Sequence, residues 1–195
     1  MQPSSSAPPP VTAPARFPYR RINVVGTSAA GKTTFARALA DHLDVACVEL
    51  DALHWEADWT EAPNELLRQR VAVATAGDGW VVDGNYSAVR DIVWARAEAV
   101  VWLDFPLRTV LWRYTTRTQR RIRTGEELWP GTGNRESLST QLLSHDSLLW
   151  WILSTYHRRR RDYPRLLAAH SRLAAIRLRS PAAADDWLRA LNAPA

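Results

Sequence analysis

Short apolar, β-branched runs alternate along the chain with longer segments whose apolar residues recur every three or four positions. Residues 21–26, RINVVG, form such a run and end at glycine, the composition of a buried strand. Behind it, Phe35, Leu39 and Leu43 fall four apart with Ala36 and Ala40 beside them, which is one face of a helix. VACVELD (45–51) predicts a second strand that closes on an acid, and Pro63 opens a helix running to about Ala76, where GDG (77–79) ends it. WVVDGNY (80–86) and AVVWLDF (99–105) predict the third and fourth strands. Pro106 then opens a helix with Leu107, Val110, Leu111 and Tyr114 on one face. A glycine-containing loop spans 124–134, and a long helical region follows to about His170, with an interruption expected near Pro164. RLAAIRLRS (172–180) predicts the fifth strand, and Ser180 with Pro181 marks a capped helix through 191.

The predicted strands are apolar almost throughout, as strands covered on both faces are, and they alternate with helices. The expected architecture is therefore α/β: a three-layer αβα fold around a five-stranded parallel sheet. No internal repeat is visible. Residues 1–18 hold half of the 12 prolines and a serine run without an apolar stretch, so they read as a disordered tail rather than a signal peptide. Residues 19–195 are expected to form the single domain.

Composition narrows the field. The chain has 195 residues, 46% hydrophobic and 23% charged, as in an ordinary globular protein. One cysteine builds neither an internal disulfide nor a thiolate cluster and fits the cytoplasm. No run of about 18 apolar residues offers a membrane span. The net charge of +5 comes mostly from arginine, whose planar fork suits phosphate oxygens, so anionic partners are expected.

Gly26-Thr27-Ser28-Ala29-Ala30-Gly31-Lys32-Thr33 then supplies the chemistry. It matches G-x-x-x-x-G-K-[ST], placed between a strand and a helix. Small residues let backbone N–H groups turn in around a phosphate, and the following helix adds its positive end. In that pattern Lys32 reaches the β- and γ-phosphates and the Thr33 hydroxyl ligates Mg²⁺. Thr34 completes the segment assigned to ATP.

On these residues the chain resembles the P-loop kinase group that includes adenylate, gluconate and shikimate kinases. It is most similar to the small adenylate-kinase-like proteins often labelled "DNA topology modulation protein" (FlaR-type). The likeness rests on VVGTSAAGKTTFARALA, ELDALHW, WVVDGNY, VVWLDFP, RYTTRTQRRIRTG and the stretch from GNRESL to RRRRDYP, together about residues 20–191. It implies that the WVVD strand lies beside the loop strand, so that Asp83 stands near the Mg²⁺. It also implies an arginine-rich lid at about 113–137, with Arg117 and Arg121 among its arginines and 124–134 as hinge and flap. The chain departs from adenylate kinases in carrying Ala29 and Ala30 where glycine is usual, and in lacking the Pro-Arg pair after Asp83, for which Arg90 is the nearest replacement.

Asp51 closes the second strand. An acid there accepts the proton of a substrate hydroxyl, as the similar stretch of gluconate-type kinases implies; the alternative is a helix N-cap. His54, Trp55 and Trp59 line an acceptor pocket or form a packing cluster. Asp104 reads as a cap of the helix opened by Pro106, and Arg158–Arg161 as a solvated or ion-paired surface. Residues 51–67 contain no lysine or arginine, which favours a hydroxyl acceptor over a phosphate; Arg68, Arg70 and Arg90 keep the phosphate open. The expected activity is transfer of the ATP γ-phosphoryl to a small molecule, with Lys32, Asp51, Asp83, Arg117 and Arg121 as catalytic groups. A nucleic-acid-binding regulator or a simple NTPase is the alternative. The protein is expected to be a monomer or homodimer.

Overall fold

The computed structural model describes residues 17–125, 127–129, 131–134 and 148–191. Five strands, β1 (Arg21–Gly26), β2 (Ala46–Glu49), β3 (Trp80–Asp83), β4 (Ala99–Leu103) and β5 (Ala174–Leu178), form one sheet in the order β2-β3-β1-β4-β5. Every neighbouring pair is parallel. Among the described residues seven α-helices accompany them: α1 (Lys32–Leu43), α2 (Leu50–His54), α3 (Asn64–Ala74), α4 (Arg90–Arg96), α5 (Leu107–Thr124), α6 (Leu148–Ala168) and α7 (Pro181–Leu191). The third predicted strand does lie beside the loop strand, with Val24 opposite Asp83.

Alternation along β1 explains the three layers. Ile22 and Val24 join a core with Phe35 and Leu39 of α1, Val110 and Tyr114 of α5, and Trp187 of α7. Val25 faces the other core, with Leu67 and Val71 of α3, Val93 and Trp94 of α4, and Tyr163 of α6. Asn23 is the polar exception in this strand. Its amide donates to the Val82 and Gly84 carbonyls at 3.1 and 3.0 Å, and its oxygen accepts the Trp94 indole N–H at 2.8 Å. A buried amide with its partners filled locks β1, the end of β3 and α4 into one register.

At the opposite end of the sheet, Glu98 accepts the backbone N–H groups of Arg20 and Arg21 at 2.8 and 2.9 Å and the Arg21 guanidinium at 2.9 Å. Burial opposes its charge, yet these donors hold its carboxyl below the ordinary range.

Several boundaries differ from the sequence reading. Strand β2 stops at Glu49, because the chain turns directly into α2, so Asp51 lies in a helix and not at a strand end. Glu49 takes the N-cap position of α2, so Asp51 is no cap either. Pro164 lies inside α6, which continues without interruption; Ile152, Tyr156 and Tyr163 bury one face of the helix before the proline, Leu166 and Leu167 pack on the core beyond it, and packing overrides the lost hydrogen bond. Ser180 does cap α7, accepting the Ala183 N–H at 3.1 Å. Residues 1–16 of the expected tail and residues 126, 130 and 135–137 of the expected lid lie outside the described residues, as do 138–147 of the resembling C-terminal stretch. Among the described residues no helix is long and apolar enough to cross a membrane.

Candidate active site

The carboxyl ends of β1 and β3 present the loop and its partners together. The loop leaves β1 at Gly26 and enters α1 at Lys32. Gly31 has φ +93°, and a Cβ there would stand 2.5 Å from an Arg113 guanidinium nitrogen, so only glycine fits the turn. Ala29 adopts φ 64°, a left-handed conformation that costs an alanine about 1–2 kcal/mol. Its methyl and that of Ala30 are buried in the core with Phe35, which offsets that strain and leaves backbone to face a ligand.

Thr33 Oγ1 donates to Asp83 Oδ2 at 2.5 Å, while Asp83 Oδ1 is buried with no hydrogen-bond partner among the described residues. Burial pushes the Asp83 carboxyl above its ordinary range, against the pull of the Lys32 charge and the Thr33 hydroxyl. A buried acid with a bare oxygen beside a threonine hydroxyl is a hard oxygen donor set, the kind Mg²⁺ takes together with phosphate oxygens. The residues therefore fit that ion; Thr33 and Asp83 would hold it.

Lys32 donates weakly to the Thr27 carbonyl at 3.3 Å. Burial pushes its ammonium below the ordinary range. Asp83 and Asp51 pull it back up, while Arg159 and Arg117 push it further down. Four charged side chains from four separate elements thus act on the charge of one lysine.

Asp51 points its Oδ1 at the Tyr86 hydroxyl, which donates at 2.7 Å. Beside it runs a chain of rings. His54 lies 4.8 Å from Tyr86 and 4.9 Å from Trp55, Trp55 lies 5.7 Å from Trp59, and Trp59 lies 5.9 Å from Trp129. His54 Nδ1 is buried without a partner among the described residues. Asn134, also buried, donates to the Glu56 carbonyl at 2.8 Å and accepts the Trp59 N–H at 2.9 Å. This amide fixes the described end of the flap onto the loop that follows α2.

The arginines divide by partner. Arg68 is held by Asp91 at 2.7 Å and by the Ala88 carbonyl, and Arg70 by Glu56 at 2.8 Å and the Leu53 carbonyl. Arg113 donates to the Ala30 carbonyl at 2.8 Å and lies over the Phe105 ring, bracing the loop. Arg117, one turn along α5, is half-buried near Lys32, and Arg121 follows it, also half-buried.

Comparison with known proteins followed from this geometry. No family model matches the chain, and no curated protein does. Solved structures do. Shikimate kinase from Acinetobacter baumannii, in complex with shikimate, superimposes with a TM-score of 0.52 at 18% identity, over 90% of this chain and 92% of that one. Shikimate kinase from Bacteroides thetaiotaomicron gives 0.51 at 16% identity, over 89% and 97%. An unliganded sugar kinase from Janibacter sp. HTCC2649 gives 0.49 at 22% identity, over 90% and 94%. The chain shares the P-loop fold of the two shikimate kinase structures, a five-stranded parallel sheet flanked by helices.

Within that fold, two sequence readings need correction. Asp104 does not cap α5. Its side chain, 1% exposed, lies between Arg160 at 2.8 Å and Arg177 at 2.6 Å, because β4, β5 and α6 converge there and a buried acid at that junction takes both cations. The arginine run is not uniformly a surface. Arg158 is exposed, Arg160 takes Asp104 and Arg161 takes Asp162, but Arg159 turns inward. It reaches the Gly26 carbonyl at 3.5 Å and lies over Trp151. Burial lowers its pKa; Tyr163 opposes that shift, and Arg158 and Arg90 add to it. No carboxylate among the described residues pairs with Arg159. Four consecutive arginines carry no local sign of which one faces in; only the α6 stripe of Ile152, Thr155, Tyr156 and Tyr163 sets the inward side, and Arg159 lies along it. Tyr86 and Asn134 were likewise missed, since their partners are 35 and more than 70 residues away.

Proposed function

We propose that this protein is a kinase that transfers the γ-phosphoryl of ATP to a hydroxyl group of a small molecule. The observation that carries the reading is the Thr33–Asp83 pair, 2.5 Å apart with the other Asp83 oxygen bare, beside the Lys32 loop at neighbouring strand ends; two acids and two arginines act on the Lys32 charge. Lys32 and the loop N–H groups hold the phosphate chain, and Arg117 and Arg159 face the charge that spreads over the transferring group. Mg²⁺, when bound at Thr33 and Asp83, neutralises phosphate charge. Asp51 takes the proton of the acceptor hydroxyl as its oxygen bonds to the γ-phosphorus and the bond to the β-phosphate oxygen breaks. The ring chain from His54 to Trp129 supplies flat apolar walls for the acceptor. Arg68 and Arg70 are occupied by acids, which supports a hydroxyl compound without a phosphate on that side. The motif set fits the FlaR-type adenylate-kinase-like proteins, and a cytoplasmic monomer or homodimer is our reading of the whole chain.

The test is phosphoryl transfer from Mg·ATP to a panel of nucleosides, nucleotides, sugars and hydroxy acids, followed by mass spectrometry. Asp51→Asn is expected to slow transfer by about 10²-fold or more, the usual worth of a positioned base. Hydrolysis alone, unchanged by Asp51→Asn, sinks the reading. Salt-sensitive DNA binding that survives Lys32→Ala moves the protein to the regulator class.

A further inference from the structure

We infer that Tyr86 is a positioning residue for the base, fixing which oxygen of Asp51 is free to take a proton. The inference rests on the kinase reading above and adds a residue that the loop motif does not contain. Asp51 is exposed on α2, a helix of one turn, so by itself its carboxylate is free to rotate. The only group bonded to it among the described residues is the Tyr86 hydroxyl, at 2.7 Å on Oδ1. The ring that carries this hydroxyl is itself held. The His54 ring at 4.8 Å backs the Tyr86 ring, and the ring is half-buried.

The backbone explains why the pair meets. Tyr86 lies three residues past Asp83 on the segment that leaves β3, and Asp51 lies two residues past Glu49, which is level with Asp83 in the adjacent strand. The metal-side acid and the base are therefore set from one pair of neighbouring strand ends. Asp51 stands close enough to Lys32 and Asp83 to perturb both. With Oδ1 tied to Tyr86, Oδ2 is left toward the acceptor. A carboxylate with one oxygen pinned loses the rotation that would present the wrong oxygen, and its productive orientation is already set when the acceptor arrives.

The experiment is a double-mutant cycle on Mg·ATP turnover, with the best acceptor from the panel or with water as acceptor. Tyr86→Phe keeps the ring on His54 and removes only the hydroxyl. It is expected to lower kcat about tenfold, with KM for ATP and for the acceptor within about twofold, since a hydrogen bond to a charged group is lost and no binding contact is. Asp51→Asn with Tyr86→Phe is expected to be no slower than Asp51→Asn alone, because Tyr86 acts through Asp51. A melting temperature of Tyr86→Phe within about 2 °C of wild type excludes a folding defect as the cause of the loss. Wild-type kcat in Tyr86→Phe, or losses that multiply in the double variant, overturns the inference and leaves the kinase reading standing. Wild-type turnover in Asp51→Asn overturns the kinase reading's base, and Tyr86 then has nothing to position.

Discussion

Gly84 tests whether the close fit between β3 and α2 has energetic weight. It follows Asp83 directly, has φ +133°, and donates its N–H to the Val24 carbonyl at 3.1 Å. A Cβ there would stand 2.9 Å from Leu50 Cβ, 3.0 Å from Cδ1 and 3.1 Å from Cγ. Leu50 is 1% exposed and packs in the same core as Val82 and Trp94, so it has nowhere to retreat without moving α2. Two penalties add in Gly84→Ala. The backbone strain is about 1–3 kcal/mol, and overpacking of a filled core is about 1–3 kcal/mol. At about 2–4 °C per kcal/mol for a chain of this size, the melting temperature should fall by roughly 4–24 °C. Differential scanning fluorimetry without ligand reads this directly. Gly77→Ala is the control: nothing lies within 4 Å of where its Cβ would stand, so it should melt within about 2 °C of wild type. Phosphoryl transfer should fall more in Gly84→Ala than stability alone explains, because the helix that yields carries Asp51. If Gly84→Ala melts within about 2 °C of wild type, Leu50 moves freely and the argument that this contact fixes α2 is wrong.

Two further expectations concern the frame around the site. Asp104→Ala leaves the half-exposed Arg160 and Arg177 without their shared acid, and should cost about 3 kcal/mol, or roughly 6–12 °C; a mere helix cap would cost about 1 kcal/mol, so urea unfolding separates the two roles. Glu98→Gln should lower the melting temperature at pH 7 by about 2–4 °C, one partly exposed charged hydrogen-bond site's worth. The folded carboxyl sits below its unfolded value of 4.5, so its contribution is present above that pH and is lost as pH falls through the folded value. A melting series from pH 7 to pH 3 should show variant and wild type converging at the acid end, and a gap that stays constant across that series refutes the assignment.

The sheet and the phosphate loop were legible because both are local. A β-branched run ending at Gly26, followed by apolar residues four apart from Phe35, specifies strand, turn and helix within twenty-three residues. Asp83 was legible through the motif around it. Asp104 was misread because proline at 106 made a helix cap the nearest explanation, whereas its partners Arg160 and Arg177 arrive from 56 and 73 residues away. Arg159 was hidden among identical neighbours, and only the apolar stripe of a long helix selects it. Tyr86 looked like the polar end of a strand, and the turn that brings its hydroxyl to Asp51 has no signature shorter than the fold. Pro164 was overweighted: the buried tyrosines before it and the packed Leu166 and Leu167 after it outweigh one lost backbone bond.

The brace from Arg113 to the Ala30 carbonyl gives α5 a fixed fulcrum. Its first half is anchored by Val110 and Tyr114 in the core and by that bond to the phosphate loop. Beyond that anchor the helix carries Arg117 and Arg121 on to its end at Thr124, and Asn134 is bonded to the Glu56 carbonyl and the Trp59 N–H. The chain from 113 to 134 is thus fastened to the loop after β1 at one described end and to the segment after α2 at the other, so a change in the backbone at Ala30 is felt first at the base of α5.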